Sequence, residues 1–437
     1  MPAARSLFGI LLLISTFHAG ALSLEESLAA SSLSTDARIA EVRAKSAVIL
    51  EGIASFPGDP IVTLEPGYRR IAAEVTSIPQ QSALGLSLTL TIPFGLTEDD
   101  RFKALFASEE ASFRREELDW TLEGLRLKAY SLYVAAWAAQ AESKFIARGT
   151  QLSEEEFAIA QALWKSGKST YTDLRNAEED LNQARSAELY GSMNERVRRL
   201  ELFSWLGIAD DGSALTMNVP AVKELPRGPE LAAWALERDP ALKDGAARIS
   251  LTAEQVVAAS RFSPPIAVKL AFAKDGQTGS LSFGTETRKL GISYDGSLVS
   301  LEGGPTQTPF TFNAGLSIAL DTGNVANRHT ESLRLAAEAE RLRKESATAS
   351  LSLAVRQAFQ AWKRSDDARS QTERAVTLAT EILATVQARA ANGFATSLEL
   401  ERAELTADRA VFGALVSAVE AEIFRRNAAV TARYPIE

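Results

Sequence analysis

The sequence of 437 residues contains no cysteine and only two histidines, and these absences exclude several classes of protein. Without cysteine there is no disulfide framework, no thiolate nucleophile and no cysteine for lipid attachment. One histidine, His18, lies in an amino-terminal segment with the character of a signal peptide, which leaves His329 alone. A histidine-based metal cluster or acid–base pair is therefore not supported. We predict that the protein is not an enzyme and that it uses no cofactor or metal.

The sequence also lacks an apolar run long enough to cross a membrane as a helix. The run from Leu7 to Phe17 is shorter than the roughly 20 residues that such a helix needs. A basic residue precedes this run and the small residues Ala19-Gly20-Ala21 follow it, which is the pattern of a secretory signal. We therefore expect residues 1–21 to be a signal peptide and the mature chain to begin near Leu22.

No strong excess of one charge is present. The formal net charge is −9, with acidic and basic residues interspersed, and this balance argues against nucleic acid as a partner. The length would suit two or three ordinary domains, yet no linker rich in Gly, Ser or Pro divides the chain. An internal repeat explains the length better.

Two stretches, SGKSTYTDLRNAEEDLNQA and NGFATSLELERAELTADRA, contain the same interruption of a helical pattern. The two stretches align when Gly167 is placed opposite Gly393. The shift between these two glycines, here called the repeat offset, also pairs further residues of the two stretches: Thr170 with Thr396, Asp173 with Glu399, Leu174 with Leu400, and Ala177 with Ala403.

Long helical patterns precede both interruptions, at about 97–166 and 324–392, and returning helices follow at about 172–206 and 398–432. A helix of about 70 residues would be roughly 105 Å long. The two stretches are therefore predicted to be the tips of two long antiparallel helical hairpins.

Period-2 alternation of apolar and polar residues predicts strands before both long helices. The segments LGLSLTLTIPF and FTFNAGLSIAL each match the roughly 9 to 11 residues that a tilted strand needs to cross a bilayer. We predict a strand hairpin at about 60–95 and a second β region at about 265–321. The second region contains about 26 extra residues, which we interpret as an extended outer loop or a β excursion, with an additional membrane hairpin as the alternative.

Two hairpins give four membrane strands per chain, which are too few to close a barrel, since about eight is the smallest number. Open strand edges are not tolerated in lipid, because each unpaired backbone group costs several kcal/mol. We therefore expect several copies to share one barrel, and three copies would supply twelve strands.

These features make the chain resemble the TolC-like outer-membrane efflux proteins over essentially its whole mature length. The resemblance is carried by the repeat, by ALERDPALKDGAARIS before the second β region, and by IPFG and ALDTGN, which lead into the long helices. It is also carried by the two tips, with the pattern G-x-x-T-x-x-[D/E]-L-x-x-A. Each motif alone is weak, whereas their repetition in register is specific.

The resemblance implies a fold that is mainly α with a membrane β-barrel: a homotrimer with a shared 12-stranded barrel in the outer membrane and a long coiled-coil helical barrel in the periplasm. Each chain would contribute two repeats, 22–220 and 221–437. The implied function is that of a passive duct in a tripartite efflux or type I secretion system. Such a duct exports substrates that an inner-membrane transporter delivers through a periplasmic adaptor, a membrane fusion protein.

The resemblance also implies roles for the tips, where carboxylates ring the periplasmic constriction. Asp173 and Glu399 align with those carboxylates, and Arg402 stands where the best-known member has an acidic residue, so the resemblance implies a constriction lined by these three residues. The positions that latch the closed mouth elsewhere are Ala395 and Ala390 here, so that latch is absent. The positions implied to dock the adaptor are Gly167, Lys168, Thr170, Gly393, Phe394 and Thr396.

Simpler interpretations remain open. Asp173 and Glu399 lie in the first turn of a helix, where the macrodipole alone stabilises a carboxylate. Thr170 and Thr396 fit the role of helix N-caps, and the exposed tip side chains need no partner. For the whole chain, the alternatives are a secreted coiled-coil adaptor or structural protein, and a periplasmic enzyme or binding module, for which no motif is present.

Overall fold

The computed structural model describes residues 23–56, 58–71, 81–93, 95–217, 224–260, 266–274, 277–285, 288–300, 311–318 and 325–435. The predicted signal peptide lies outside these residues. The described chain is mainly helical, with one sheet. The elements in chain order are α1 (Leu24–Ser31), α2 (Thr35–Ala54), β1 (Ile61–Ile71), β2 (Gln81–Pro93), α3 (Glu98–Lys165), α4 (Tyr171–Leu206), α5 (Gly228–Arg238), α6 (Pro240–Ser260), β3 (Ile266–Lys274), β4 (Gln277–Gly284), β5 (Lys289–Ser300), β6 (Thr311–Ile318), α7 (Val325–Ala391) and α8 (Ser397–Thr431).

The chain forms two compact units, which we describe separately. The first, here called the helical unit, comprises Met1–Val42, Glu116–Asp239 and Thr348–Glu437. The second, here called the sheet unit, comprises Arg43–Arg115 and Pro240–Ala347. Each unit takes segments from both halves of the sequence.

The core of the helical unit is built where small residues alternate with large ones. Ala136 on α3 is fully buried beside Tyr133, and both pack against Leu202 and Phe203 of α4. The Tyr133 hydroxyl donates to the carbonyl of Thr216 at 2.5 Å, which satisfies the polar end of a buried aromatic side chain. Small residues on α3 therefore allow the two helices to approach closely.

The start of α3 in the sheet unit follows directly from its sequence. The backbone N–H of Asp100 donates to the Thr97 hydroxyl at 3.1 Å, and this hydroxyl donates to the Asp100 carboxylate at 2.7 Å. Hydrogen bonds from Thr97 and Lys103 hold the pKa of Asp100 below its ordinary value of 3.8. Acidic residues in this first turn favour the helix because its N-terminus carries partial positive charge.

The sheet unit contains a six-stranded antiparallel sheet in the order β1-β2-β5-β4-β3-β6. The described sheet has six strands where four were predicted, because the extra residues of the second β region form β4 and β5. A plain outer loop is thereby excluded, while the β excursion and the additional hairpin both fit these strands. These strands alternate in polarity, but their many small residues give a weak signal in the sequence. In the part of the chain that the structure describes, the sheet is open, with β1 and β6 at its two ends.

The two faces of the sheet differ in polarity. Directly paired residues of an antiparallel sheet share a face, so the registers place apolar side chains in rows across all six strands. We call this the apolar face; it comprises Val62, Leu64, Leu88, Leu90, Ile92, Val268, Leu270, Phe272, Gly279, Leu281, Phe283, Leu290, Ile292, Tyr294, Phe312, Ala314 and Leu316. The opposite, polar face includes Thr63, Glu65, Ser87, Thr89, Thr91, Lys269, Thr278, Ser280, Ser282, Ser293, Asp295 and Asn313.

Candidate functional site

The first helical tip, between α3 and α4, is closed by a left-handed residue. Gly167 has φ of 71°, a conformation that costs glycine little because it has no Cβ atom. The N–H of Gly167 donates to the carbonyl of Trp164 at 2.9 Å, and that of Lys168 donates to the carbonyl of Leu163 at 2.8 Å. These hydrogen bonds satisfy the last carbonyls of α3 as in a Schellman motif.

The second tip, between α7 and α8, has the same backbone. Gly393 has φ of 73°, its N–H donates to the carbonyl of Ala390 at 3.0 Å, and the N–H of Phe394 donates to the carbonyl of Arg389 at 2.8 Å. The repeat offset relates each of these pairs to a pair of the first tip. The two Schellman hydrogen bonds therefore correspond between the repeated tips.

Asp173 and Thr170 form a capping box at the start of α4. The Asp173 carboxylate accepts from the backbone N–H of Thr170 at 2.9 Å and from its hydroxyl at 2.7 Å. Hydrogen bonds from Thr170, and then from Ser169, hold the pKa of Asp173 below its ordinary value of 3.8. The carboxylate is exposed and ionised, and it stabilises the end of its own helix.

Glu399 and Thr396 form the corresponding box at the start of α8. The Glu399 carboxylate accepts from the backbone N–H of Thr396 at 3.2 Å, and the Glu399 N–H donates to the Thr396 hydroxyl at 3.1 Å. Both predicted tip carboxylates thus have a local capping role.

Arg402 lies one turn beyond Glu399, but its ion pair is with Glu156 of α3. Two further ion-pair groups join the same two helices, since Arg409 pairs with Glu142, and Arg148 pairs with carboxylates of α8. These pairs could not be predicted from the sequence, because the two partners of each pair are far apart along the chain. A series of ion pairs therefore joins α8 to α3 of the first helical hairpin, and the pair of Arg402 is the one nearest the tip.

The side chains at the two tips differ although the backbones agree. Phe394 is 75% exposed and lies beside a shallow groove lined in part by Ala384, Ala388 and Arg389 of α7. Its counterpart in the first tip is Lys168, which is also exposed. At equivalent positions, the second tip thus presents the phenyl side chain of Phe394 and the first tip presents the charged side chain of Lys168.

An aromatic pair at the first tip was missed by the sequence reasoning. The rings of Trp164 and Tyr171 lie 6.3 Å apart and link the end of α3 to the start of α4. The repeat offset places Ala390 and Ser397 at the equivalent positions of the second tip. A comparison of side chains across the repeat would have identified this difference between the tips.

The apolar face of the sheet is a second candidate surface. Leu64, Phe312 and Leu316 are 60%, 61% and 66% exposed, although they belong to apolar rows that carry no charge. Exposed apolar surfaces of this extent mark an interaction with a membrane or another protein. Within the described ranges, no helix is both long enough and apolar enough to cross a membrane, and no group of three metal-ligating side chains is brought together.

Residues 231–431, a little under half of the chain, match the family model described as outer membrane efflux protein. The predicted resemblance to this family is confirmed. The matched residues include most of the second half of the chain, from α5 to the end of α8. No curated protein sequence matches the chain.

Solved structures share the fold of this chain at low sequence identity. A membrane protein from Pseudomonas aeruginosa is 14% identical with a TM-score of 0.67, over 94% of this chain and 90% of that protein. The outer membrane protein VceC from Vibrio cholerae is 14% identical with a TM-score of 0.63, over 95% and 97%. The CmeC outer membrane channel of Campylobacter jejuni is 14% identical with a TM-score of 0.65, over 94% and 86%.

Proposed function

We propose that this chain is the subunit of a trimeric outer-membrane channel, which passively exports substrates delivered by an inner-membrane transporter through a periplasmic adaptor. The observation that carries the proposal is the amphipathic sheet. Its apolar face is exposed and its polar face carries hydroxyl, amide and charged groups. A sheet of this kind suits a wall between lipid and water.

The lengths of the strands support a position in the bilayer. The strands contain 8 to 13 residues, which brackets the roughly 9 to 11 residues of a tilted membrane strand. The open edges at β1 and β6 would be costly in hydrocarbon, because each edge exposes unpaired N–H and C=O groups. Pairing of β6 with β1 of a neighbouring copy removes both edges and closes a ring.

The tips are the proposed site of contact with the adaptor and of the periplasmic constriction. Phe394 and Lys168 are exposed and lie on backbones that are fixed by Schellman hydrogen bonds, so they form rigid docking points. Asp173, Glu399 and Arg402 are the proposed lining of the constriction. The other proposed docking residues, Gly167, Thr170, Gly393 and Thr396, set the shape of the tips.

Fractionation and mass measurement test the channel proposal. The protein is expected in the outer-membrane fraction, and its electrophoretic migration is expected to change on boiling. The assembly extracted in detergent is expected to have the mass of three chains. Recovery of a soluble periplasmic monomer would contradict the proposal.

Adaptor binding tests the docking role of the tips. Phe394→Ala is expected to weaken capture of the adaptor, whereas Leu189→Ala, at a 60% exposed position on α4, serves as the matched control. Equal capture by both variants would exclude Phe394 from the docking surface.

Ion conductance tests the constriction. Glu399→Ala and Arg402→Ala are expected to alter conductance or ion preference in planar bilayers. If both variants behave as the parent does, these residues do not line the narrow part of the duct.

A further inference from the structure

The hairpin of β4 and β5 occupies the middle of the sheet and not its edge or exterior. β5 pairs with β2 along its length, and β4 pairs with β3 in the same way. β3 is in turn paired with β6, so the hairpin separates the strands of the first β region from those of the second. Removal of the hairpin from this position would leave edges of both β2 and β3 unpaired.

Both faces of the sheet continue through this hairpin in the regular pairing of β2 from Gly85 to Pro93 with β5, and the register shift between Leu84 and Gly85 lies beyond it. On the apolar face, one row runs through Leu90, Ile292, Leu281 and Leu270. On the polar face, the neighbouring row runs through Thr89, Ser293, Ser280 and Ala271, and the hydroxyl oxygens of Ser280 and Ser293 lie 2.6 Å apart. A loop or excursion outside the membrane wall would have no reason to match the polarity of its neighbours on both faces.

We propose that the β4–β5 hairpin is a full part of the membrane wall, so that three chains close a barrel of 18 strands and not of 12. This inference rests on the proposed function, because it needs three copies in a bilayer. With a strand spacing of about 4.8 Å and a tilt of about 40°, 18 strands give a backbone diameter of about 36 Å, and 12 strands give about 24 Å.

The wider barrel has a consequence for the cargo. At equal tilt the diameter grows in proportion to strand number, so the enclosed area rises about 2.25-fold. The hairpin contributes hydroxyl groups and the carboxylate of Asp295 to the lumen face, which suits water-filled space. The backbone diameter is therefore about 1.5 times that of a 12-stranded barrel, and the wider lumen is suited to bulky polar cargo.

Disulfide trapping in isolated outer membranes tests the position of the hairpin, and the absence of native cysteine leaves no background. Thr89 and Ser293 are directly paired, and antiparallel pairs have Cα atoms about 4.5 to 5.5 Å apart, within disulfide reach. The double variant Thr89→Cys with Ser293→Cys is expected to form a disulfide on oxidation. The matched control, Thr63→Cys with Ser293→Cys, places the cysteines two strands apart, at roughly 10 Å, and is expected to stay reduced.

Electron cryomicroscopy of the detergent-extracted assembly supplies the second measurement. A trimer with the wider, 18-stranded barrel, together with the disulfide between positions 89 and 293, is the expected result. A trimer with the narrower, 12-stranded barrel and no such disulfide would overturn the 18-strand inference and leave the proposed function intact. Solitary subunits without a central hole would instead overturn the proposed function, and the barrel inference with it.

Discussion

Replacement of Glu422 on α8 by alanine should destabilise the helical unit more than any exposed substitution on the same helix. The Glu422 carboxylate accepts hydrogen bonds from Arg425 at 2.6 and 2.8 Å and from Arg426 at 2.7 Å. Its side chain is 2% exposed, and that of Arg425 is 5% exposed. The guanidinium group of Arg426 also lies 5.2 Å from the ring centre of Tyr130, whose pKa is raised to about 12 mainly by burial.

The expected loss of folding free energy follows from the arginine charges that the variant leaves without a carboxylate partner. Glu422→Ala removes the counter-charge of two arginines, one of them buried, and breaking a buried pair typically costs about 3–5 kcal/mol. Burial acts to raise the pKa of Glu422, but hydrogen bonds from Arg425 and Arg426 outweigh it, so the pKa lies below its ordinary value of 4.5. A depressed folded-state pKa contributes stability above pH 4.5, and this contribution is lost as the pH falls through the folded value.

Thermal unfolding of the detergent-extracted protein, followed by circular dichroism, measures the effect. A loss of this size should lower Tm on the order of 10 °C for the helical unit, which has about 235 residues without the predicted signal peptide. Glu420→Ala is the matched control, because Glu420 is exposed two residues away, and such changes usually stay within about 0.5 kcal/mol. Equal Tm values for the two variants would refute the argument that the buried ion pair stabilises this core.

The remaining predictions concern the tips and can be measured by hydrogen exchange of tip amides. Thr170→Ala and Thr396→Ala should each cost about 1 kcal/mol locally, since each removes a cap; unchanged exchange would contradict the capping role. Gly393→Ala should cost about 1 kcal/mol at φ of 73°. Gly413→Ala, within α8, should be neutral or stabilising, because an added Cβ atom would meet no atom within 4 Å. Because the pKa of Asp173 is lowered from 3.8, the first tip should be protected above that pH and open as the pH falls further; a profile flat from pH 5 to 2 would contradict this.

The tips show how far local sequence reasoning reaches. A glycine, a threonine and a carboxylate at fixed spacing specify a left-handed helix end and a capping box, because all the interacting atoms lie within a few residues. The partner of a charged side chain is not local. Arg402 was predicted to line the constriction together with Glu399, and its ion pair is with Glu156, which lies on the other helical hairpin and far earlier in the sequence.

The sheet shows what local sequence reasoning could not predict. Alternation in β2 and β6 predicted two amphipathic strands, but the glycine-containing β4 and β5 carried a weaker pattern, so an additional hairpin was only the alternative interpretation. Their place between β2 and β3 depends on hydrogen bonds between strands that are distant in sequence. Periodicity within one strand contains no information about which neighbour it pairs with.

Local patterns were therefore enough to predict the resemblance to the efflux family, the mainly helical fold and the repeated tips, because periodicity, caps and turn residues act over a few neighbouring positions. The strand order, the continuity of the two faces of the sheet and the partners of the charged residues emerged only from the folded chain. Those features arise from contacts between segments brought together by burial and by the need to pair every backbone group, and no short stretch of residues encodes them.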